Sequence, residues 1–600
     1  MRWQSSLFLA CLLSLVLCAL GRFAFETRYT GSSGGGALAF CSTQLSLRGY
    51  GGHRSMGIFA GRIRMSNSFR PWLYGAWMVS IAAFALFHAF HLSADFPNHT
   101  PWFSDWAKYT DEGWYGNAAI RAHLFGNWYL PGDFNPAPAI PVWPLLEWIV
   151  FCFTGVTIEA ARGLAVFFFF CNLLLSYFLL RVKGARWMAL LALTLLVTSP
   201  FLYCFSRLAI LEPMLIAFTL AAFNLAVRLP RLRRPVWASV VIGLLFTLMM
   251  LTKTTAVFLL PALGWAMLAP LWPNRWLSVR AVVAAAGSFV LSFGLWMALV
   301  IHAGLLKDYK YLFFVNKYNK PKEFYWPLVS FWWSFHGGLW VDHVLIPLTG
   351  VLAVSALVAG LWLVRRHSEG CWGWARKLLL DPVFGASILA VAGYILFMTY
   401  QDHPQPRYFA VVAFFCFFVL ALSIEALLAQ GNALWLRRLG GVVLAVVLSA
   451  AAGNAAQTLY FASHPEYSYI DAAQRLTRYI DEHPNGRRLL LSISGDQLTL
   501  MTHLPSLCDD FGTLELVTKI EDYQPGWFAT WNDIDPGALE DLHNRYSLEQ
   551  VARFRALDDP DRNILILFKL HPLPHGQLRE PTEQNLQIAL PDDKIYIDVR

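Results

Sequence analysis

Residues 209–228 read Ala-Ile-Leu-Glu-Pro-Met-Leu-Ile-Ala-Phe-Thr-Leu-Ala-Ala-Phe-Asn-Leu-Ala-Val-Arg. The run is apolar except for Thr219 and Asn224, with an acid, Glu212, near one end and a base, Arg228, at the other. A stretch of about 20 apolar residues crosses a bilayer core as a helix. A basic end belongs on the cytoplasmic side. Read so, Glu212 stands at the outer end of a spanning helix.

The same reading, carried outward, gives spans at 72–92, 163–180, 188–205, 209–227, 236–251, 254–271, 281–303, 343–364, 383–400, 408–428 and 439–459. Bases flank the inner ends. Arg54, Arg62, Arg64 and Arg70 precede the first span, and Arg181, Lys183 and Arg186 follow the second. Arg228, Arg231, Arg233 and Arg234 come next, then Arg275 and Arg280, then Arg365, Arg366, Arg376 and Lys377, then Arg437 and Arg438. Short basic inner loops are the positive-inside pattern. Eleven crossings then place the segment after residue 460 outside. The expected class is a polytopic α-helical membrane protein with a C-terminal soluble α/β domain.

Composition agrees. Of 600 residues, 56% are hydrophobic and 14% charged, with 25 Trp and 45 Phe. A soluble domain carries roughly 25% charged residues. The chain therefore cannot cover its apolar surface in water, which excludes a soluble enzyme, a disordered chain and a secreted disulfide scaffold. The 9 Cys are scattered, and Cys508 alone lies in the polar C-terminal part, so no disulfide pair is available there. The net charge of +8 divides sharply. Residues 461–600 hold 23 acids and 13 bases, net −10, which leaves 16 acids and 34 bases, net +18, in residues 1–460. The basic excess follows from membrane topology, so no nucleic-acid partner is called for.

Three domains follow. Residues 1–64 contain an apolar run at 7–20 and the Gly/Ser stretch Gly31–Gly36, and read as a signal-like extension or an upstream start, with Met65 the alternative. Residues 65–460 are the spanning domain. Residues 461–600 read as a small α/β domain. In it, 472–480 is an amphipathic helix, 536–544 a second helix, and 488–493, 549–555 and 563–570 are strands. It has no Gly-rich phosphate loop and no nucleophile elbow, and packing is its default role.

Charged groups near membrane depth are costly and mark function by default. Here they converge on the outer connections. Asp111 and Glu112 lie in the first, Glu212 opens a helix, Lys253 sits in a very short turn, and His403 and Arg407 precede another helix. The outer loop at 304–341 adds Lys317, Lys320 and Lys322 among aromatic residues, either as an interfacial segment or as a loop covering a site. Carboxylates beside cations suit transfer of a group from a phosphate. The carboxylate takes a proton from the attacking hydroxyl or amine. Lys and Arg neutralise the leaving phosphate. Bland roles are open to each residue: Asp111 and Glu112 as first-turn acids, Glu212 as a helix start, Lys253 as a snorkelling base, Arg407 as a headgroup partner. A lipid-linked sugar flippase and a non-catalytic anchor are the competing classes. A flippase predicts matching halves with broken helices, and the sequence shows no repeat of that kind.

Four segments in order carry a resemblance: Asp111-Glu-Gly-Trp-Tyr-Gly-Asn-Ala-Ala with Gly126-Asn-Trp and Asn135-Pro-Ala-Pro; Leu211-Glu-Pro-Met; Thr252-Lys-Thr-Thr with Pro261; and Pro406-Arg-Tyr. Over roughly 65–460 the chain resembles the polyprenyl-phosphate-sugar-dependent glycosyltransferases of the GT-C membrane fold. It is similar to the aminoarabinose lipid A transferase and protein O-mannosyltransferase (glycosyltransferase family 39-like) families, which usually have Asp where this chain has Glu212. The resemblance implies catalytic roles for Asp111, Glu112 and Glu212, with Asp111 the base and Glu112 assisting. It implies donor-phosphate binding by Lys253 and Arg407; His403, beside Arg407, is grouped with them, and Lys317, Lys320 and Lys322 are the candidate loop contacts on the reading of their own segment. The implied donor is a polyprenyl-phosphate-linked sugar, and a lipid, glycan or protein is the acceptor. The site and C-terminal domain would face the periplasmic side of the cytoplasmic membrane. No metal signature stands in the sequence; a divalent cation between Asp111, Glu112 and Glu212 is the one cofactor option.

Overall fold

A computed structural model describes residues 69–97, 105–183, 186–315, 380–400, 405–428, 434–532, 536–557, 559 and 562–574. The expected span at 343–364 lies outside these residues, as do residues 1–64, His403 and the loop lysines Lys317, Lys320 and Lys322.

Among the described residues, eight helices are long and apolar enough to cross a bilayer. Their lipid-facing sides carry apolar side chains into the surroundings. Along Arg275–His302, for example, Val283, Val290 and Leu291 are exposed. The stretch that opens the sequence reading differs. It forms a helix, Glu212–Ala226, of 15 residues, every one of them buried. A helix apolar all round belongs inside a bundle, and this one packs against Ile158–Leu180 and Pro235–Thr252. Asn172 and Asn224 tie it to Ile158–Leu180, donating to the carbonyls of Pro213 and Leu175 at 2.9 Å each.

Two expected spans are broken. The span at 188–205 is two helices, Arg186–Thr198 and Pro200–Phe205. Pro200 has no amide hydrogen to continue the first, and the Ser199 side chain caps the second by accepting from Leu202 N. The span at 254–271 begins as a 3-10 turn, Thr254–Leu259, before the helix Leu260–Leu271. A further apolar helix at Val142–Thr154, 13 residues long, lies outside the expected spans. At 1.5 Å per residue it reaches roughly 20 Å, short of a bilayer core.

The C-terminal region is a five-stranded sheet of order β2-β1-β3-β5-β4. The strands are β1 (Leu490–Leu491), β2 (Ser506–Leu507), β3 (Trp527–Trp531), β4 (Tyr546–Arg555) and β5 (Ile564–Pro572). β2, β1 and β3 run parallel, while β5 pairs antiparallel with β3 and β4. All five β3 residues are buried, because both faces of the sheet are covered. Trp527, Ala529 and Trp531 pack on one side with Leu565 and Leu567, and Phe528 packs on the other with Ile566 and Phe568. The first group also takes in Tyr109, whose ring lies 4.8 Å from that of Trp531. The connection after the first span is thus part of the core of the sheet domain. Of the expected elements, the helix at 472–480 is Ser468–Glu482, and the strand at 563–570 is β5. β2, β3 and the helices Gly495–Thr502 and Leu516–Tyr523 are additions to that reading.

Candidate functional site

Three interruptions of helical structure bring the site together. Asp111 opens the helix Asp111–Leu124, with Thr110 at the N-cap position. Lys253 is the extended residue between Pro235–Thr252 and the Thr254–Leu259 turn. Arg407 lies in the 3-10 turn Pro406–Tyr408 that leads into Phe409–Leu428. The Lys253 turn is pinned from below. Gly393 packs so closely that a Cβ there would stand 2.0 Å from Phe258 O. Beside it the Thr255 hydroxyl meets the Tyr394 hydroxyl at 2.9 Å.

The side chains form one buried cluster. Arg407 Nη2 lies 2.7 Å from Asp111 Oδ2, and its Nη1 lies 2.5 Å from Asp105 Oδ1. Its backbone N–H donates to Asp105 Oδ2 at 2.8 Å. Tyr115 OH donates to Asp111 Oδ2 at 3.1 Å, and Thr110 Oγ1 to Asp111 Oδ1 at 3.2 Å. Lys253 Nζ is bound to Glu212 Oε1 and lies 4.2 Å from the centre of the Tyr408 ring. That ring also faces the Arg407 guanidinium, at 4.9 Å. Three carboxylates, Asp105, Asp111 and Glu212, thus meet two cations. Burial pushes the Asp111 carboxyl above the ordinary aspartate range, with Arg407 pulling it back. Glu212 Oε2 and Arg407 Nε have no hydrogen-bond partner among the described residues. Both atoms are buried, where a polar group without a partner is uncommon.

Glu112 is placed elsewhere. Arg162 grips both its oxygens, Nε to Oε1 and Nη2 to Oε2, at 2.7 Å each. Ala209 N donates to Oε1 at 2.8 Å and Gln497 Nε2 to Oε2 at 3.0 Å. The remaining Arg162 nitrogen, Nη1, donates to the carbonyls of Leu92 and Ala94 at 2.7 and 2.6 Å. Glu112 thus joins Arg162, Ala209 and Gln497, and its contacts are separate from those of Asp111. The option of a cation shared by Asp111, Glu112 and Glu212 does not fit this arrangement, since each carboxylate already holds a different cationic side chain.

Asp105, Arg162 and Tyr115 are absent from the sequence-based site. Asp105 reads locally as a cap, and its side chain does accept from Ala107 N at 2.8 Å. The signal for Arg162 is positional: it is a base in a connection that the topology puts outside, against the positive-inside trend.

The helix Asp111–Leu124 is also held from its other side. Asn117 Nδ2 donates to Asp496 Oδ2 at 2.5 Å. Arg121 Nη2 lies 3.2 Å from Asp496 Oδ1 and 3.4 Å from Asp133 Oδ2. Burial raises the pKa of Asp496 to about 6, against the pull of Arg121. Gly113 marks the closest approach: a Cβ there would lie 2.2 Å from both Asp496 C and Gln497 N, which are backbone atoms that cannot swing aside. Replacing Gly113 with Ala is expected to force the two helices apart and to destabilise the chain by about 1–3 kcal/mol or more. A melting curve in detergent will read this as a lower midpoint; an unchanged midpoint would mean the contact gives way freely.

With the site in place, the chain can be compared with known proteins. The family described as dolichyl-phosphate-mannose-protein mannosyltransferase matches residues 144–314. The apo crystal structure of ArnT from Cupriavidus metallidurans superposes with a TM-score of 0.53 at 14% identity, covering 82% of this chain and 98% of that one. ArnT from the same organism bound to undecaprenyl phosphate gives a TM-score of 0.52 at 13% identity, covering 84% and 99%. No curated protein matches the sequence. The chain has the GT-C fold. At this level of identity the structural likeness speaks to architecture alone.

Proposed function

We propose that the chain is a membrane glycosyltransferase that moves a sugar from a polyprenyl-phosphate donor to a lipid, glycan or protein acceptor at the non-cytoplasmic face. The observation that carries this reading is the buried cluster of Asp111, Arg407, Lys253 and Glu212, each standing at a separate helix start or break. The family match and the ArnT bound to undecaprenyl phosphate support the donor class. So does an apolar groove of about 440 Å³ lined by Ile388, Val391, Ile395, Leu396, Cys416 and Val419. It lies between Pro382–Tyr400 and the helix that follows Arg407, where a polyprenyl chain can dissolve.

The geometry suggests counter-ion exchange. Both cations are neutralised by carboxylates, so a donor phosphate must take their place. As the phosphate engages Lys253 and Arg407, Asp111 loses its cationic partner and becomes a stronger base. Asp111 then takes the proton of the acceptor hydroxyl or amine while that atom attacks the anomeric carbon. The bond from the anomeric carbon to the phosphate oxygen breaks, and its electron pair leaves with the polyprenyl phosphate. One displacement inverts the anomeric centre.

An in-cell comparison separates this from the flippase class. Deleting the gene should leave an acceptor one sugar short by mass spectrometry of glycolipids and glycoproteins. Lipid-linked sugar stranded on the cytoplasmic side would instead indicate a flippase. A binding measurement tests the phosphate role. Changing Lys253→Met together with Glu212→Gln removes the pair without leaving a lone buried charge. Affinity for undecaprenyl phosphate should fall roughly 10–100-fold, the worth of one charge-assisted hydrogen bond. Equal affinity would remove Lys253 from the donor site.

A further inference from the structure

The helix that begins with Asp111 lacks a cap of its own. An N-cap side chain normally accepts from the amide two or three residues on, since the first amides of a helix have no internal partner. Thr110 makes no such bond. Its hydroxyl is turned to Trp106 O and Asp111 Oδ1 instead. The third amide of the helix, Gly113 N, donates to Gln497 Oε1 at 2.9 Å. The other end of the same amide group, Nε2, donates to Glu112 Oε2 at 3.0 Å. Gln497 is fully buried and belongs to Gly495–Thr502, the helix between β1 and β2. Gly113 has no side chain to keep that helix at a distance.

We infer that Gln497 is a positioning residue for the transfer reaction, a cap supplied by the C-terminal domain to the helix whose first residue is Asp111. The inference rests on the glycosyltransferase reading for its effect on turnover, though not for its effect on the helix. It gives the C-terminal domain a task beyond packing. By fixing the first turn from outside the membrane bundle, it holds the Asp111 carboxylate in line with Arg407. Thr110 is thereby free to bond Asp111 itself.

The test is Gln497→Met in the full-length, detergent-solubilised chain, which keeps the volume and removes both hydrogen bonds. Hydrogen–deuterium exchange over 111–124 should show faster exchange confined to the first turn. Turnover with an undecaprenyl-phosphate-linked sugar should fall on the order of 10–100-fold, the cost of a small misplacement of a reacting group. KM for the donor should stay within about twofold, because Lys253 and Arg407 are on other elements. A purely structural loss would instead lower the melting point and loosen the helix throughout. If the Met variant does not fold, Gln497→Asn, too short to reach both partners, should show the same local loss of protection. Wild-type exchange in the first turn of a folded variant overturns the inference. If the unaltered chain transfers no sugar from a lipid phosphate, the functional reading fails, and the exchange result still decides whether Gln497 is the cap.

Discussion

Asp111→Asn is expected to lower turnover by roughly 10²–10⁴-fold, the range for loss of a general base, in a chain that still folds. Folding survives because Arg407 keeps Asp105, which holds its guanidinium at 2.5 Å and its backbone amide at 2.8 Å. An Asn carbonyl also still accepts from Tyr115. What goes is one of two carboxylates that Arg407 contacts among the described residues, the one proposed to receive the proton once the donor phosphate arrives. The pH profile gives a second reading. A base works when ionised, so activity is lost as pH falls through its pKa. Burial sets that pKa above the ordinary aspartate value, and a phosphate drawing Arg407 away raises it further. The acidic limb of kcat/KM in the unaltered chain should therefore lie at a higher pH than a solvent-exposed aspartate would give, that of kcat, which reports the bound state, higher still, and Asp111→Asn should abolish both limbs along with the rate. An Asn variant within a few-fold of the parent rate would mean another group accepts the proton.

Hydropathy and loop charge carry most of the architecture. Lipid demands long apolar helices, and the inner loops announce themselves by their bases. These rules describe the contact between chain and membrane, so they weaken inside the bundle. Glu212–Ala226 is buried throughout and needs no bilayer length of its own. The Ser199-Pro200 break is legible as chemistry, but an apolar run passes over it. In the site, the cluster of Asp111, Glu212, Lys253 and Arg407 was within reach because each stands at a helix break on one face. Its third carboxylate, Asp105, was not, since capping of a short turn gives a sufficient local reason for an acid there. The same rule that located the inner loops also held unused information. Lys108, Arg121, Arg162 and Arg207 are bases in connections that it places outside. In the structure each is buried and engaged: Lys108 with Asp559, Arg121 with Asp496, Arg162 with Glu112, and Arg207 with the carbonyls of Phe90 and His91. Three of these four exceptions to the charge rule, Lys108, Arg121 and Arg162, form interior ion pairs. The hydrogen bonds from Gln497 span 385 residues of sequence to Glu112 and 384 to Gly113. No local pattern reports a contact of that kind.

Glu112→Ala should act on stability where Asp111→Asn acts on rate, although the two residues are adjacent. Successive residues on a helix point about 100° apart, so a pair of acids in sequence need not be a pair in space. Asp111 turns to Arg407, Glu112 to Arg162. Removing the Glu112 carboxylate leaves the buried Arg162 guanidinium with the Leu92 and Ala94 carbonyls as its hydrogen-bond acceptors among the described residues, and takes an acceptor from Ala209 N and from Gln497. Breaking one side of a buried ion pair costs about 3–5 kcal/mol. That is a large part of the stability of an ordinary domain. Four segments would be released from one another: the start of Asp111–Leu124, the start of Ile158–Leu180, the turn before Glu212 and the helix Gly495–Thr502. The variant should express poorly and melt at a markedly lower temperature. Pairing it with Arg162→Met, which removes the stranded charge, should recover much of the loss, because apolar replacement of a whole buried pair is often tolerated. A Glu112→Ala chain that melts like the parent but transfers no sugar would reverse the assignment and return Glu112 to the chemistry.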